Sequence, residues 1–311
     1  MTGKVCIVPT VLPFEEAMIN EHVFIIRGNE KKALQQYLCA FLFSELGQEL
    51  LKNNITGQAQ GGLNSTNLKS IKIPLPPLDI QKKIVEEISK VDEEYNTTRM
   101  TIETYRNKIE NIFNDMEIIG KQGGASLTRL EELYSSLEYG FTATARESGD
   151  VRFVRITDID PNGDLYKENA KYIDLTNEAK KYSLNKNDIL VARTGNTYAK
   201  TTMFNEDYQA VFASYLIRIN LIADKLLSKY YWKYAQTRHY WQQAESLVSG
   251  MAQPQFNANA IQQLKIPLPP LEKQKEIVAE IEQYEKQITE AQCKLNELKH
   301  SKKDILKKYL D

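Results

Sequence analysis

Between Arg193 and Lys200 the run RTGNTYAK gathers a guanidinium, two hydroxyls (Thr194, Thr197), a carboxamide (Asn196), a phenol (Tyr198) and an ammonium. Two further polar clusters accompany it. One is YGFTAT, with Tyr139, Gly140, Thr142 and Thr144; the other is SGMAQPQFN, with Ser249, Gly250, Gln253, Gln255 and Asn257. Arg155 adds a cation on the alternating run VRFVRITDI. Donors and acceptors of these types hydrogen-bond base edges and phosphates, and Gln or Asn can pair with both groups on an adenine edge. A plainer role competes for several of them. Arg193 could satisfy an internal carboxylate such as Asp158 or Asp188, and Asn257, like Asn64, could be the N-cap of a following short helix.

Catalytic arrangements are missing from the pattern. GQAQGG does not have the spacing of a phosphate-cradling glycine loop after a strand. The three histidines, His22, His239 and His300, have no metal-ligand spacing, and the three cysteines form no CxxC pair. An amino-methyltransferase would need a polar residue and an aromatic flanking a Pro-Pro pair, and LPPL supplies Leu at both places. The sequence therefore reads as a non-enzyme with no cofactor and no metal. With 42% hydrophobic and 26% charged residues, a formal net charge of −1 and no long apolar run, the expectation is a cytoplasmic globular protein. Near-neutral charge leaves nucleic-acid binding open, because a local basic face can supply phosphate contacts.

What positions the clusters is a duplication. IKIPLPPLDIQKKIV (71–85) and LKIPLPPLEKQKEIV (264–278) agree at 11 of 15 positions, at an offset of 193 residues. The likeness continues upstream without a gap, pairing Gly57 with Gly250, Gln60 with Gln253, and Asn64 with Asn257. So long a period marks a duplicated domain and not a solenoid. After each proline hinge, apolar residues fall at alternating steps of four and three. The first series is Ile84, Ile88, Val91, Tyr95, Thr98, Ile102, Tyr105, Ile109, Ile112 and Met116, in which only Thr98 is polar; the second begins Ile277, Ile281, Tyr284, Ile288. That is the seam of a coiled coil, uninterrupted by Gly or Pro. Two such helices, the second returning along the first, would be antiparallel. About 38 residues would span roughly 57 Å, or about 17 base pairs. The exposed apolar hinges Pro74, Pro76, Pro77, Leu78 and Pro267, Pro269, Pro270, Leu271 are candidate docking points for a partner, or else pack their helix starts.

The segment between the helices reads as mixed α and β. SLTRLEELYSSL suggests a short helix capped by Ser126, and 151–159 and 185–195 suggest strands. VFASYLIRINL (211–221) suggests one more strand, and LLSKYYWKYAQTRHYWQQAESLVSG one aromatic-rich helix ending at Gly250. The aromatics of that helix are read as core and interface residues in preference to base-stacking ones.

YGFTA (139–143), FVRITDI (153–159), NDILVARTG (187–195), SGMAQPQFN (249–257) and IPLPPLEKQKEIV together resemble the specificity subunit of type I restriction–modification enzymes. The resemblance covers nearly the whole chain, in the family's order and with its duplication. It implies an α+β fold, with mixed α/β target-recognition domains joined by long antiparallel coiled-coil helices. The division would be the C-terminal part of domain 1 at 1–77, a spacer helix at 78–118, a complete domain 2 at 119–270 and a second spacer helix at 271–311. It also implies a DNA-reading subunit that recognises a bipartite double-stranded site and recruits modification (methyltransferase) and restriction subunits. One departure stands out: MTGKVCIVPTVLPFEEAMINEHVFII resembles the region around 195–219, so domain 1 is expected to lack its first half. A second copy or a separate N-terminal fragment could complete it at its open strand edges. A recombination cassette that only oligomerises through its helices is the alternative.

Overall fold

The computed structural model describes residues 4–8, 18–55, 62–121, 126–249 and 254–310, and for 117–121 and 126 the backbone alone. The chain divides into two compact units, Met1–Glu103 with Ile288–Asp311, and Thr104–Gln287.

In the first unit an extended segment leads to α1 (Gln35–Phe43), α2 (Glu45–Asn53), α3 (Ser65–Ser70) and the long α4 (Leu78–Lys121), whose residues up to 103 belong here. Tyr37, Leu38, Phe41, Leu42 and Leu51 bury against Ile84 and Ile88 of the heptad seam. The end of the C-terminal helix, described below, adds Leu306 to the same cluster. Lys308 pairs with Glu87, Lys302 with Asp92 and Lys294 with Glu94, so within this unit the two long helices run antiparallel.

The second unit carries β1 (Ser126–Arg129), β2 (Tyr134–Tyr139), β3 (Val151–Val154), β4 (Tyr172–Ile173), β5 (Asp188–Ala192), β6 (Thr201–Phe204), β7 (Ala210–Phe212) and β8 (Leu216–Leu221). Then come α5 (Ser228–Tyr234), α6 (Arg238–Leu247), α7 (Ala258–Gln263), β9 (Lys265–Leu268) and α8 (Leu271–Leu310). An antiparallel sheet runs β2-β8-β5-β6, a second runs β4-β3-β7, and β1 pairs with β9. Residues 189–192 and 216–219 are buried on both faces. One face meets Tyr230, Tyr231, Tyr234 and Tyr240; the other meets Val154, Ile159 and Phe212. This accounts for the continuous apolar run ILVA, since a strand covered on both sides does not alternate.

Four local expectations change. SLTRLEELYSSL is not a helix: β1 and β2 flank a 3-10 turn at Leu130–Glu132, because pairing with β9 and β8 outweighs local helix propensity. The strand expected over 151–159 stops at Val154, where Arg155 and Asp158 cap a 3-10 turn. The strand expected over 211–221 is two strands, with a turn at Ala213–Tyr215. The single aromatic helix is two helices. Thr237 Oγ1 donates to the Tyr234 carbonyl and accepts from the Tyr240 N–H, which ends α5 and caps α6. Tyr230, Tyr231, Tyr234 and Tyr240 are fully buried core residues. Gly250, the expected end of that helix, lies outside the described residues.

Candidate nucleic-acid interface

Four loops of the second unit meet at one place. The end of β2 enters the first, where the Phe141 N–H donates to the Phe212 carbonyl and the Ser214 N–H to the Phe141 carbonyl. The turn after β7 is therefore stitched to the loop after β2. A Cβ on Gly140 would lie 2.3 Å from the Ala213 carbonyl oxygen, so only glycine permits this approach. The Arg193 N–H donates to the Tyr215 carbonyl, and the Arg193 carbonyl accepts from the Phe256 N–H. Thr194 bridges to Gln255, and Gln255 exchanges both backbone bonds with Ser249. Gly195, at φ 71°, turns the third loop into open space, a conformation glycine adopts without strain.

Arg193 sits at the centre of this junction. Its guanidinium carbon lies 5.1 Å from the Tyr139 ring centroid and 5.6 Å from that of Tyr215. Both phenols are exposed, at 42% and 53%. Neither Asp158 nor Asp188 takes Arg193: Asp158 is held by Arg155, and Asp188 by Arg218. Among the described residues its Nε is buried without a hydrogen-bond partner. Beneath the junction Arg218, 9% exposed, joins Glu138 and Asp188. Hydrogen bonding from Arg218 holds the Glu138 carboxyl below its ordinary value.

The other expected residues divide. Tyr139, Thr142, Thr144 and Asn196 are exposed on these loops, while Thr194 is buried and Gln255 half-buried among their backbone bonds. Tyr198 packs edge-on to Trp241. Lys200 donates to the Ile159 carbonyl at 3.2 Å, and Arg155 closes on Asp158 at 2.6 Å; both charges serve the domain itself. Asn257 accepts from the Ala260 N–H as an N-cap, as Asn64 does from the Asn67 N–H, so the cap reading describes both. Gln253 lies outside the described residues. Tyr215 escaped the sequence reading because its turn was taken for the middle of a strand. The signal available was SY between the apolar runs VFA and LI.

The hinges fold inward through their carbonyls. Tyr37 Oη donates to the Pro74 carbonyl and Tyr230 Oη to the Pro267 carbonyl. Gln81 donates to Pro76 and Gln274 to Pro269. The exposed apolar face expected at the second hinge shrinks accordingly: Pro267 lies in β9 and is buried, as is Pro269, leaving Pro270 exposed and Leu271 half-buried. At the first hinge Pro74 and Pro77 are exposed, and Pro76 and Leu78 half-buried. Among the described residues there is no cluster of three acidic, His or Cys side chains able to hold a metal, and no helix long and apolar enough to cross a membrane.

Known proteins resemble this arrangement. A type I restriction enzyme specificity subunit of Haemophilus influenzae is 26% identical over 284 residues, covering 86% of this chain and 68% of its own length. The StySPI specificity subunit of Salmonella potsdam is 24% identical over 302 residues, covering 88% and 64%. A solved chain from work on complex assembly and conformational transition of the type I R-M system shares the fold. It has a TM-score of 0.58 at 20% identity and covers 92% of this chain and 73% of that one. The family model for the type I restriction modification DNA specificity domain matches residues 1–104 and 135–300. The chain belongs to that family.

Proposed function

We propose that this chain is the non-catalytic, sequence-specific DNA-binding subunit of a type I restriction–modification system. It acts in the cytoplasm, reads one part of a bipartite double-stranded site with the second unit, and scaffolds methyltransferase and restriction subunits. The observation that carries the reading is the convergence of four loops on Arg193. They offer a guanidinium without a hydrogen-bond partner among the described residues, exposed hydroxyls and a carboxamide from a stiff base, as groove readers require. Pro74, Pro77 and Pro270, with Leu78 and Leu271 beside them, are the hinge atoms left for a partner subunit. The first copy of the domain is completed by strands from a second copy or from a separate N-terminal fragment, because Val23, Phe24, Ile25 and Ile26 stand 39–54% exposed. The test is duplex binding by the full chain as a function of salt and sequence. Preference for one sequence, with affinity falling as salt rises, supports the reading. Equal, salt-insensitive retention of all duplexes would instead favour a scaffold that associates through its helices alone.

A further inference from the structure

Resting on that reading, we propose that Arg193, clamped between Tyr139 and Tyr215, is a guanine-binding site that fixes one G·C pair in the half-site read by the second unit. The other arginines of the domain with assigned partners are already committed. Arg129 pairs with Glu131, Arg146 with Asp174, Arg155 with Asp158, and Arg218 with Glu138 and Asp188, while Arg152 bonds the Tyr208 hydroxyl and the Tyr166 carbonyl. Arg193 differs in kind. Its main chain is pinned on both sides, by the Tyr215 carbonyl at 3.0 Å and the Phe256 N–H at 2.7 Å. Its guanidinium carbon lies over two rings, at 5.1 and 5.6 Å from their centroids, and among the described residues it has no acceptor.

Stacking on aromatic faces leaves the edge of a guanidinium, which carries its hydrogen-bond donors, free to bond outward. Guanine presents two acceptors, O6 and N7, side by side in the major groove, and a bidentate arginine matches that spacing. A phosphate would also accept this fork, but a phosphate contact fixes register and carries no sequence information, whereas a fork held in one orientation suits a base edge. Here the ammonium on the same loop, that of Lys200, is turned to the Ile159 carbonyl, so the loop offers one oriented fork in place of a basic cluster. Tyr139 and Tyr215 are positioning residues: they hold the plane of the fork and reduce the rotamer freedom lost on binding.

The experiment is selection of bound duplexes from a randomised pool by the full chain and by its Arg193→Ala and Arg193→Lys variants. The selected duplex is then remade with 7-deazaguanine, which lacks the N7 acceptor. The unaltered chain should enrich a motif with a guanine at one position. Arg193→Ala should lose preference at that position alone and keep the rest, and Arg193→Lys should regain it only in part. Deazaguanine there should weaken the unaltered chain about 10- to 100-fold and leave Arg193→Ala unchanged. An unchanged motif in Arg193→Ala, or a uniform loss across all sequences as for a phosphate contact, overturns the inference and leaves the functional reading standing. No enriched motif with the unaltered chain overturns both. The deazaguanine arm uses the unaltered protein, so it decides the matter even if the alanine variant fails to fold.

Discussion

Gln81 and Gln274 are both wholly buried, and at an offset of 193 residues they make the same three hydrogen bonds. Gln81 accepts from the Leu34 N–H and donates to the Lys32 and Pro76 carbonyls; Gln274 accepts from the Leu227 N–H and donates to the Lys225 and Pro269 carbonyls. Tyr37 and Tyr230 match in the same way, as do the helix breaks at Ser44 and Thr237 and the caps Asn64 and Asn257. Burial, however, diverges. Phe24 and Ile26 are 47% and 39% exposed, whereas their counterparts Ile217 and Ile219 in β8 are at 0% and 2%. Leu63, Ile71 and Ile73 are half-buried, whereas Phe256, Leu264 and Ile266 are at 0%. In the second copy β2 and β5 flank β8. The hinge and its helix start are thus specified locally, by a glutamine, a tyrosine and proline carbonyls. The apolar run 23–26, by contrast, stays exposed where its counterpart is buried between paired strands.

The widest contrast is to place the same charge at equivalent positions. Ile217→Asp would bury a carboxylate in the core beside Tyr230 and Tyr240 and should cost more than about 4 kcal/mol, unfolding the second unit. Phe24→Asp should change the isolated chain by no more than about 0.5 kcal/mol. Both tryptophans, Trp232 and Trp241, lie in the second unit, so their fluorescence in urea follows that unit alone, while far-ultraviolet dichroism follows both. A comparable loss from Phe24→Asp would show that the first copy buries this segment after all.

Where the copies agree, equal damage is expected. Gln274→Leu and Gln81→Leu each orphan one N–H and two carbonyls. At the low end of about 1–3 kcal/mol for each group, since Lys32 and Lys225 are exposed, a loss of roughly 3 kcal/mol follows in either unit. Hydrogen exchange at the N-terminal turns of α4 and α8 would compare them, and a loss confined to Gln274→Leu would break the equivalence. A smaller effect belongs to the caps. Asn257→Ala and Asn64→Ala should each cost about 1 kcal/mol, with no change in duplex preference. Altered preference in Asn257→Ala would restore that residue as a base reader.

The duplication, the two long helices and the N-caps were legible because each depends on residues close in sequence. KIPLPPL and the heptad spacing carry their own geometry. β1 and β2 were not legible, since SLTRLEELYSSL becomes strand only through β9, more than a hundred residues away, and through β8. The Arg193 loop was legible as a concentration of polar types. Its partners were not: Tyr215 arrives from a turn hidden inside an apolar run, and the carboxylates weighed as alternative partners of Arg193 are held by Arg155 and Arg218.

The smallest predicted effect exploits a position where the copies differ in charge. Ile25, 54% exposed, stands where the second copy has Arg218, 9% exposed and bonded to Glu138 and Asp188. Hydrogen bonding to Arg218 lowers the Glu138 pKa in the folded chain below the ordinary 4.5. A depressed carboxyl stabilises the fold fully above its unfolded value and loses that contribution as pH falls through the folded one. The second unit should therefore lose stability below pH 4.5. The Glu138 side chain is 41% exposed, so solvent screening keeps the change under about 1 kcal/mol. Melting followed by tryptophan fluorescence should show an acid-dependent fall in the unaltered chain and a shallower one in Glu138→Gln. Identical slopes would mean that Arg218 rests on Asp188 alone. The base beneath Arg193 would then hold its shape without Glu138, and acid would weaken the second unit through other carboxylates.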